Sequence, residues 1–443
     1  MTTRAWDLTS GRFWWLAGAT GMALGLAVSA AVDLAIGGVV VLVALLAFAR
    51  SSHQTERLAG LYWIAFTVYS VVFFGITIRF GFYPFYAAFL ISVLVALTRG
   101  GLRVDTVSGL LYLGFMTTVA WSFVTFADPV GSDVIQRVLA YVVGAMVFLQ
   151  VRSREGLVPV ATAVILASVA VAGFVIYSSI ESGFGYRGGV AANPNTVSRI
   201  IGYGALVAFG SLLEWRPVPR AASHKLALVL ALGIMAYGAT LLASRGMAIG
   251  LALSMSVMWV RGVTLDWRSV RVLAIAVALA SLALALPGGQ GLIQRFTASD
   301  ENLESAGSRI PLWEVTLESL AAGNVAQLVF GHGFDSSKPV VERFFLGQTS
   351  VHNSYLHFLY EFGVISLALH VALLAYLVGR AWFVPNHHGI VMLGLTCFLA
   401  IESLSGDVTS TFDYWVLLGY AAAIGLWARP GGSSAVLHTG DRT

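Results

Sequence analysis

Charge is scarce in this chain. Only 11% of its 443 residues are Asp, Glu, Lys or Arg, against about 25% in soluble domains, so no large water-facing surface can be built. Lysine is almost absent: Lys225 and Lys338 are the only two, and the calculated pI near 9.2 rests on arginine. The single cysteine, Cys397, lies within an apolar run, which excludes a disulfide framework and a thiolate metal site. No basic run is interleaved with aromatics, so nucleic acid is not an expected partner. Linkers rich in Pro, Gly or Ser are missing too, and low complexity is limited to a short Gly-Gly-Ser-Ser tail at 431–434. No convincing inverted repeat is present, which disfavours the common transporter architectures.

What the chain has is apolar length. Hydrophobic residues make up 58% of it and the mean hydropathy is +0.81. Runs of about 20 residues, each able to cross a bilayer, recur from end to end. They predict an all-α polytopic membrane protein of about 14 transmembrane helices, near 14–31, 34–49, 59–77, 82–98, 107–126, 135–150, 157–177, 196–213, 226–242, 246–260, 272–287, 354–378, 389–402 and 412–427. The first could be mistaken for a signal peptide, since Val28-Ser29-Ala30 resembles a cleavage site; it is kept as a span. The organisation expected is spans 1 to 11 over 1–287, one long extracytoplasmic loop with short amphipathic helices over 288–353, and three spans with a cytoplasmic tail over 354–443.

Arginine checks the count. Alternate connections hold Arg50 and Arg57, Arg99 and Arg103, Arg152 and Arg154, then Arg216, Arg220 and Lys225, then Arg261, Arg268 and Arg271, and finally Arg380. Those between are acidic or neutral, with Asp33, Asp128, Asp133, Glu181, Asp300, Glu301, Glu304, Asp407 and Asp413. The positive-inside rule then puts both ends in the cytoplasm and the long loop outside.

The outward arginines run against that bias: Arg79, Arg137, Arg187, Arg199, Arg245, Arg295, Arg309 and Arg343. Arg245 sits in a hinge so short that its guanidinium lies at or within the membrane boundary. It either snorkels or faces a polar cavity or an anion, since charge at that depth is costly. Arg309 opens a helix expected over 309–320 and capped by Ser308, with Pro311 in its first turn. Trp313 follows one helical turn later, while Glu314 and Glu318 fall on a solvated stripe. Free N–H groups and a forked cation at one helix start make a good phosphate site.

Ahead of the eighth span, Asn193-Pro194-Asn195 reads equally as cap and turn or as substrate contact, with Asn195 the expected N-cap. Gly183-x-Gly185-x-x-Gly188 matches a dinucleotide fingerprint by letter only, for no strand precedes it. His352 stands beside Asn353 where the loop re-enters the membrane, and its ordinary pKa near 6.5 suits a general base. His332, His357 and His370 are expected to be structural.

The ordered set is Asn193-Pro194-Asn195, Ser244-Arg245-Gly246, Gly307-Ser308-Arg309 with Leu312-Trp313, Gly331-His332-Gly333, His352-Asn353-Ser354-Tyr355-Leu356 and Glu361-Phe362-Gly363. Over about 185–370 this resembles the O-antigen ligase and polymerase superfamily of bacterial envelope glycosyltransferases. The resemblance implies a glycan donor on undecaprenyl diphosphate, a glycan or lipid A-core acceptor, contact with membrane lipid, a chain-length regulator as partner, and no metal or other cofactor. It also implies His352 as catalytic base and Arg245 and Arg309 as diphosphate-binding groups. Arg187, Asn193, Asn195 and Asn353 would be further substrate contacts, and Asp407 or Asp413 the family's acidic residue after the penultimate span.

Two arginines would stand where many glycosyltransferases hold a divalent metal, and no Asp-x-Asp motif is present to bind one. Fourteen spans sit more easily with polymerases than with ligases, so polymerisation at the outer face of the inner membrane is the expectation. A flippase of lipid-linked sugars and a non-catalytic scaffold are the competing classes. Neither explains a long outer loop ending in a boundary histidine.

Overall fold

The computed structural model describes residues 105–126, 137, 140–141, 157–184, 193–213, 222–263, 268–297, 309–344, 350–384, 386–409 and 411–427. The four spans expected before residue 105, most of the sixth, Ser308 and Arg187 lie outside the described residues. Thirteen helices are described: α1 Thr106–Phe126, α2 Leu157–Glu181, α3 Pro194–Leu213, α4 Ala222–Leu241, α5 Arg245–Val263, α6 Arg268–Ala285, α7 Gln290–Thr297, α8 Arg309–Ala321, α9 Val325–Phe330, α10 Ser337–Phe344, α11 Ser354–Phe383, α12 Asn386–Ser405 and α13 Phe412–Trp427. Among the described residues five helices are long and apolar enough to cross a membrane, and six if α6 and α7, bent by 87°, form one broken span. This is a multi-pass helical membrane protein. Each expected span from 107–126 and from 157–177 onward coincides with a helix, with ends shifted by a few residues.

Buried α3 packs against α2, α4, α5 and α12. Lipid is as apolar as leucine, so membrane helices associate by close packing rather than by hydrophobic exclusion. Small residues make this possible here. A Cβ on Gly204 would fall 2.3 Å from that of Ser168, and one on Gly238 would fall 2.8 Å from that of Ala172. Around α11 the packing is aromatic: Phe115, Tyr141, Phe358 and Trp415 interlock with ring centroids 5.1–6.2 Å apart. Outward faces stay apolar, as with Leu110, Leu113 and Val124 of α1.

Two expectations change. The span at 354–378 is not one continuous helix, because Gly363 breaks α11 with φ +80 and ψ 177. The carbonyls freed by the break find partners elsewhere. Tyr360 O accepts from His332 N–H at 2.8 Å, and Glu361 O accepts from Gly333 N–H at 3.1 Å and from Ser122 Oγ at 2.9 Å. Irregular backbone at membrane depth survives only when protein satisfies it in this way. Short α9 lies across the break, exposing Val325, Leu328 and Phe330 beside Trp121 of α1.

The second change is at α3, where Asn193 rather than Asn195 is the cap. Asn193 Oδ1 accepts from Asn195 N–H at 3.0 Å, while Pro194 takes the first helical position, where its missing N–H costs nothing. Asn195 is left free to accept from Ser244 Oγ at 3.1 Å, which ties α3 to the hinge before α5.

Candidate functional site

His352 lies in a three-residue turn, Val351-His352-Asn353, directly ahead of α11. Its φ is +53, a left-handed conformation that costs a non-glycine residue about 1–3 kcal/mol and persists only where the surroundings enforce it. Asn353 caps α11, its Oδ1 accepting from Tyr355 and Leu356 N–H at 3.0 and 3.1 Å. Ser354 stitches the turn to residues 406–409: its Oγ donates to Gly406 O at 2.9 Å and accepts from Val408 N–H at 3.0 Å. On the other side Trp313 Nε1–H donates to Val351 O at 3.1 Å, and Leu312, Val341 and Val351 form a small buried cluster. Helix α8, which begins at Arg309, is thereby pressed against the histidine turn.

Two charges act on the imidazole. Burial holds the His352 pKa below its ordinary 6.5, the Arg309 guanidinium lowers it further, and the Asp407 carboxylate pulls the other way. Burial and Arg309 together thus favour the neutral imidazole, the form that can act as a base. Burial alone would raise the Asp407 carboxyl; His357, Arg137, the Ser350 hydroxyl and His352 outweigh that and hold it below the usual carboxylate range. Arg309 also acts on Glu402, a buried carboxyl of α12. Glu402 Oε1 lies against the glycine face of α5, where a Cβ on Gly250 would come within 3.2 Å of it.

Of the residues singled out in sequence, Arg309, Asp407, Asn353 and His352 are brought to one place. Arg245 opens α5 half-buried, and Nη1 donates to Arg295 O at 3.4 Å. Gly246 beside it packs against Ser405. Asn193 is exposed and Asn195 half-buried at the same hinge.

Asp413 does something else. It accepts from Arg199 Nε at 3.0 Å and from Tyr203 OH at 3.1 Å, while Arg199 Nη2 donates to Thr411 Oγ1 at 3.2 Å. Both charged side chains are buried, at 4% and 5% exposure. Removing one partner of such a pair strands the other's charge, so Asp413→Asn is expected to cost about 3–5 kcal/mol. Arg199→Met combined with Asp413→Asn should recover much of that loss. Thermal unfolding in detergent checks both, and a single-variant loss below about 1 kcal/mol would mean that the pair is not what ties α3 to α13.

The sequence reading missed a cluster behind His352. His357, expected to be structural, is 1% exposed and has its Nε2 3.3 Å from Glu361 Oε2 and its Nδ1 4.0 Å from Asp407 Oδ2. Glu361 also accepts from Ser337 Oγ at 2.6 Å and lies 3.9 Å from Arg137 Nη1, and Arg137 Nη2 reaches Asp335 at 3.1 Å. The signal was there in part: His357 and Glu361 are four residues apart on one helix, the spacing of facing partners. His332 stacks on Tyr360 with centroids 4.2 Å apart, and His370 Nε2 is hydrogen-bonded to Tyr414 OH at 2.9 Å.

The site therefore combines, in a helical membrane protein, a histidine turn, an arginine from the first turn of α8 and a carboxylate from the turn before α13. Residues 226–371 match the family described as O-antigen ligase. The matched stretch, about a third of the chain, holds Arg245, Arg309 and His352, and over it the chain is similar to that family, in line with the resemblance carried by the order of motifs. Comparison with curated proteins gives no match.

Proposed function

We propose that the protein is a metal-independent glycosyltransferase that polymerises undecaprenyl-diphosphate-linked oligosaccharide repeat units at the outer face of the inner membrane. The observation that carries this reading is the strained His352 turn, which lies with Arg309 inside the matched stretch and is acted on from beyond it by Asp407. His352 takes the proton of the attacking sugar hydroxyl as the new C–O bond forms at the anomeric carbon. The bond from that carbon to the diphosphate oxygen breaks, and undecaprenyl diphosphate leaves with the electron pair. Arg309 and Arg245 stabilise the growing charge by charge-assisted hydrogen bonds, which count for more in a partly dry site. Arg187, Asn193, Asn195 and Asn353 are proposed further contacts along the glycan. Asp407, facing the base, fits the family's acidic residue better than Asp413, which is engaged by Arg199.

The topology that goes with this has spans 1 to 11 over 1–287, an extracytoplasmic loop over 288–353, and three further spans with a cytoplasmic tail over 354–443. A second reading is transfer of the finished glycan to lipid A-core, favoured by the description of the matching family as a ligase. Purified protein, given lipid-linked donor without metal or nucleotide, is expected to lengthen the glycan and release undecaprenyl diphosphate. Product only when lipid A-core is added would favour the ligase. Activity lost to EDTA and restored by magnesium would overturn arginine in the metal's place, and flipping in liposomes without product would favour a transporter.

A further inference from the structure

Behind the His352 turn runs a continuous line of polar side chains that the proposed reaction does not use. It starts at Arg137, 3.9 Å from Glu361 Oε2, passes to His357 Nε2 at 3.3 Å, and continues from His357 Nδ1 to Asp407 Oδ2 at 4.0 Å. Asp407 Oδ2 accepts from Ser350 Oγ at 3.2 Å, and Ser350 Oγ accepts from the backbone N–H of His352, also at 3.2 Å. Glu361 and His357 are almost fully buried, and Ser337 holds Glu361 from a third side. The links among Arg137, Glu361, His357 and Asp407 are close approaches of opposite charge rather than hydrogen bonds. Buried charge is costly unless opposite charges face each other in this way, so each member holds the next and the last holds what hangs from its end. What hangs from this end is the one turn residue with strained backbone beside Arg309.

We propose that Arg137, Glu361, His357, Asp407 and Ser350 form a positioning chain that locks the His352 turn in its left-handed conformation and presents the imidazole to the site. This rests on the reading of His352 as the base. Ser350 is the mechanical link, since its hydroxyl is shared between the Asp407 carboxylate and the His352 amide. Asp407 is also the electrical link: the charged groups acting on His352 are Arg309 from α8 and Asp407 from the turn before α13. Those acting on Asp407 are His357, Arg137 and His352. His357 and Glu361 keep Asp407 in place from behind. They are positioning residues in the first and second turns of α11, the helix that follows the base they serve.

Ser350→Ala should lower kcat about 100-fold, the scale of an ångström-sized misplacement, with the donor KM unchanged. Ser350→Thr keeps the hydroxyl and should restore most of the rate. Asp407→Asn removes the carboxylate that opposes Arg309, so the acidic limb of the kcat profile should move to lower pH. The same shift should appear without turnover, as a lower midpoint for carbethoxylation of His352 followed by peptide mass spectrometry across pH.

A Ser350→Ala enzyme within twofold of wild type would overturn the chain. So would an Asp407→Asn protein whose His352 midpoint stays put. A donor KM that rises in step with the fall in kcat would make Asp407 a substrate contact instead. If the wild-type protein yields no glycan product, the function fails, while the carbethoxylation midpoints still decide whether Asp407 and Ser350 govern His352. Should Asp407→Asn not fold, Ser350→Ala and Ser350→Thr carry the decision through the same midpoints.

Discussion

Replacing His352 by alanine is expected to cut turnover by about 10²–10⁴-fold while lipid-linked donor still binds. The imidazole meets the attacking hydroxyl, and the diphosphate is held by other groups. Arg309→Ala is expected to differ, weakening donor binding and turnover together, because the diphosphate is charged in ground and transition state alike. Arg309→Lys should restore charge but only part of the rate, for lysine lacks the planar fork that grips two oxygens. The pH profile follows from burial and from Arg309, which keep the His352 pKa below 6.5. A base works deprotonated, so kcat should be level through neutrality and fall only as pH drops through that lowered value. Kinetics with a soluble acceptor and separate donor-binding measurements check all three variants. Near-normal turnover in His352→Ala would make the histidine a cap and sink the site.

The largest stability effect is expected at the break in α11. A methyl on Gly363 would fall 2.2 Å from Val329 O, and a methyl on Gly331 would fall 2.2 Å from Glu361 O, with both residues at positive φ. Backbone meets backbone at both points, so no side chain can swing aside. Gly363→Ala and Gly331→Ala should each cost about 4 kcal/mol or more, at the far end of what single substitutions do. Gly379→Ala is the control: it lies on the same helix, a methyl there meets nothing within 4 Å, and it should be neutral or slightly stabilising. Unfolding midpoints in detergent, with limited proteolysis of α9, distinguish the three. A Gly363→Ala protein as stable as Gly379→Ala would show that the break is not locked by α9.

Spans were legible because a twenty-residue apolar run leaves few alternatives: α3, α11, α12 and α13 begin within a few residues of where hydropathy placed them. The break in α11 was not, since averaging over a window hides one glycine, and only the contact with Val329 gives Gly363 its conformation. Asn193 could have been read as the cap, because a proline at 194 marks the first helical position and so points to the residue before it. The helix expected over 309–320 is described over Arg309–Ala321, while its expected cap, Ser308, lies outside the described residues. His357 was not, because two of its partners, Asp407 and Ser337, come from other elements. Arg137 was marked as an outward arginine, but Asp335 is nearly 200 residues away in sequence, and no local pattern links them.

The break also sets an order of assembly. An unbroken apolar helix can enter the bilayer as soon as it is made, since every backbone group is paired within it. Helix α11 cannot do so at no cost, because the carbonyls of Tyr360 and Glu361 wait for the amides of His332 and Gly333. Those amides must be beside the nascent helix when it partitions into lipid. Synthesis delivers them first, and the hydroxyl of Ser122 is already in the membrane by then. Insertion of this span and docking of the segment before it are therefore one event, and the turn carrying His352 is shaped in the same step.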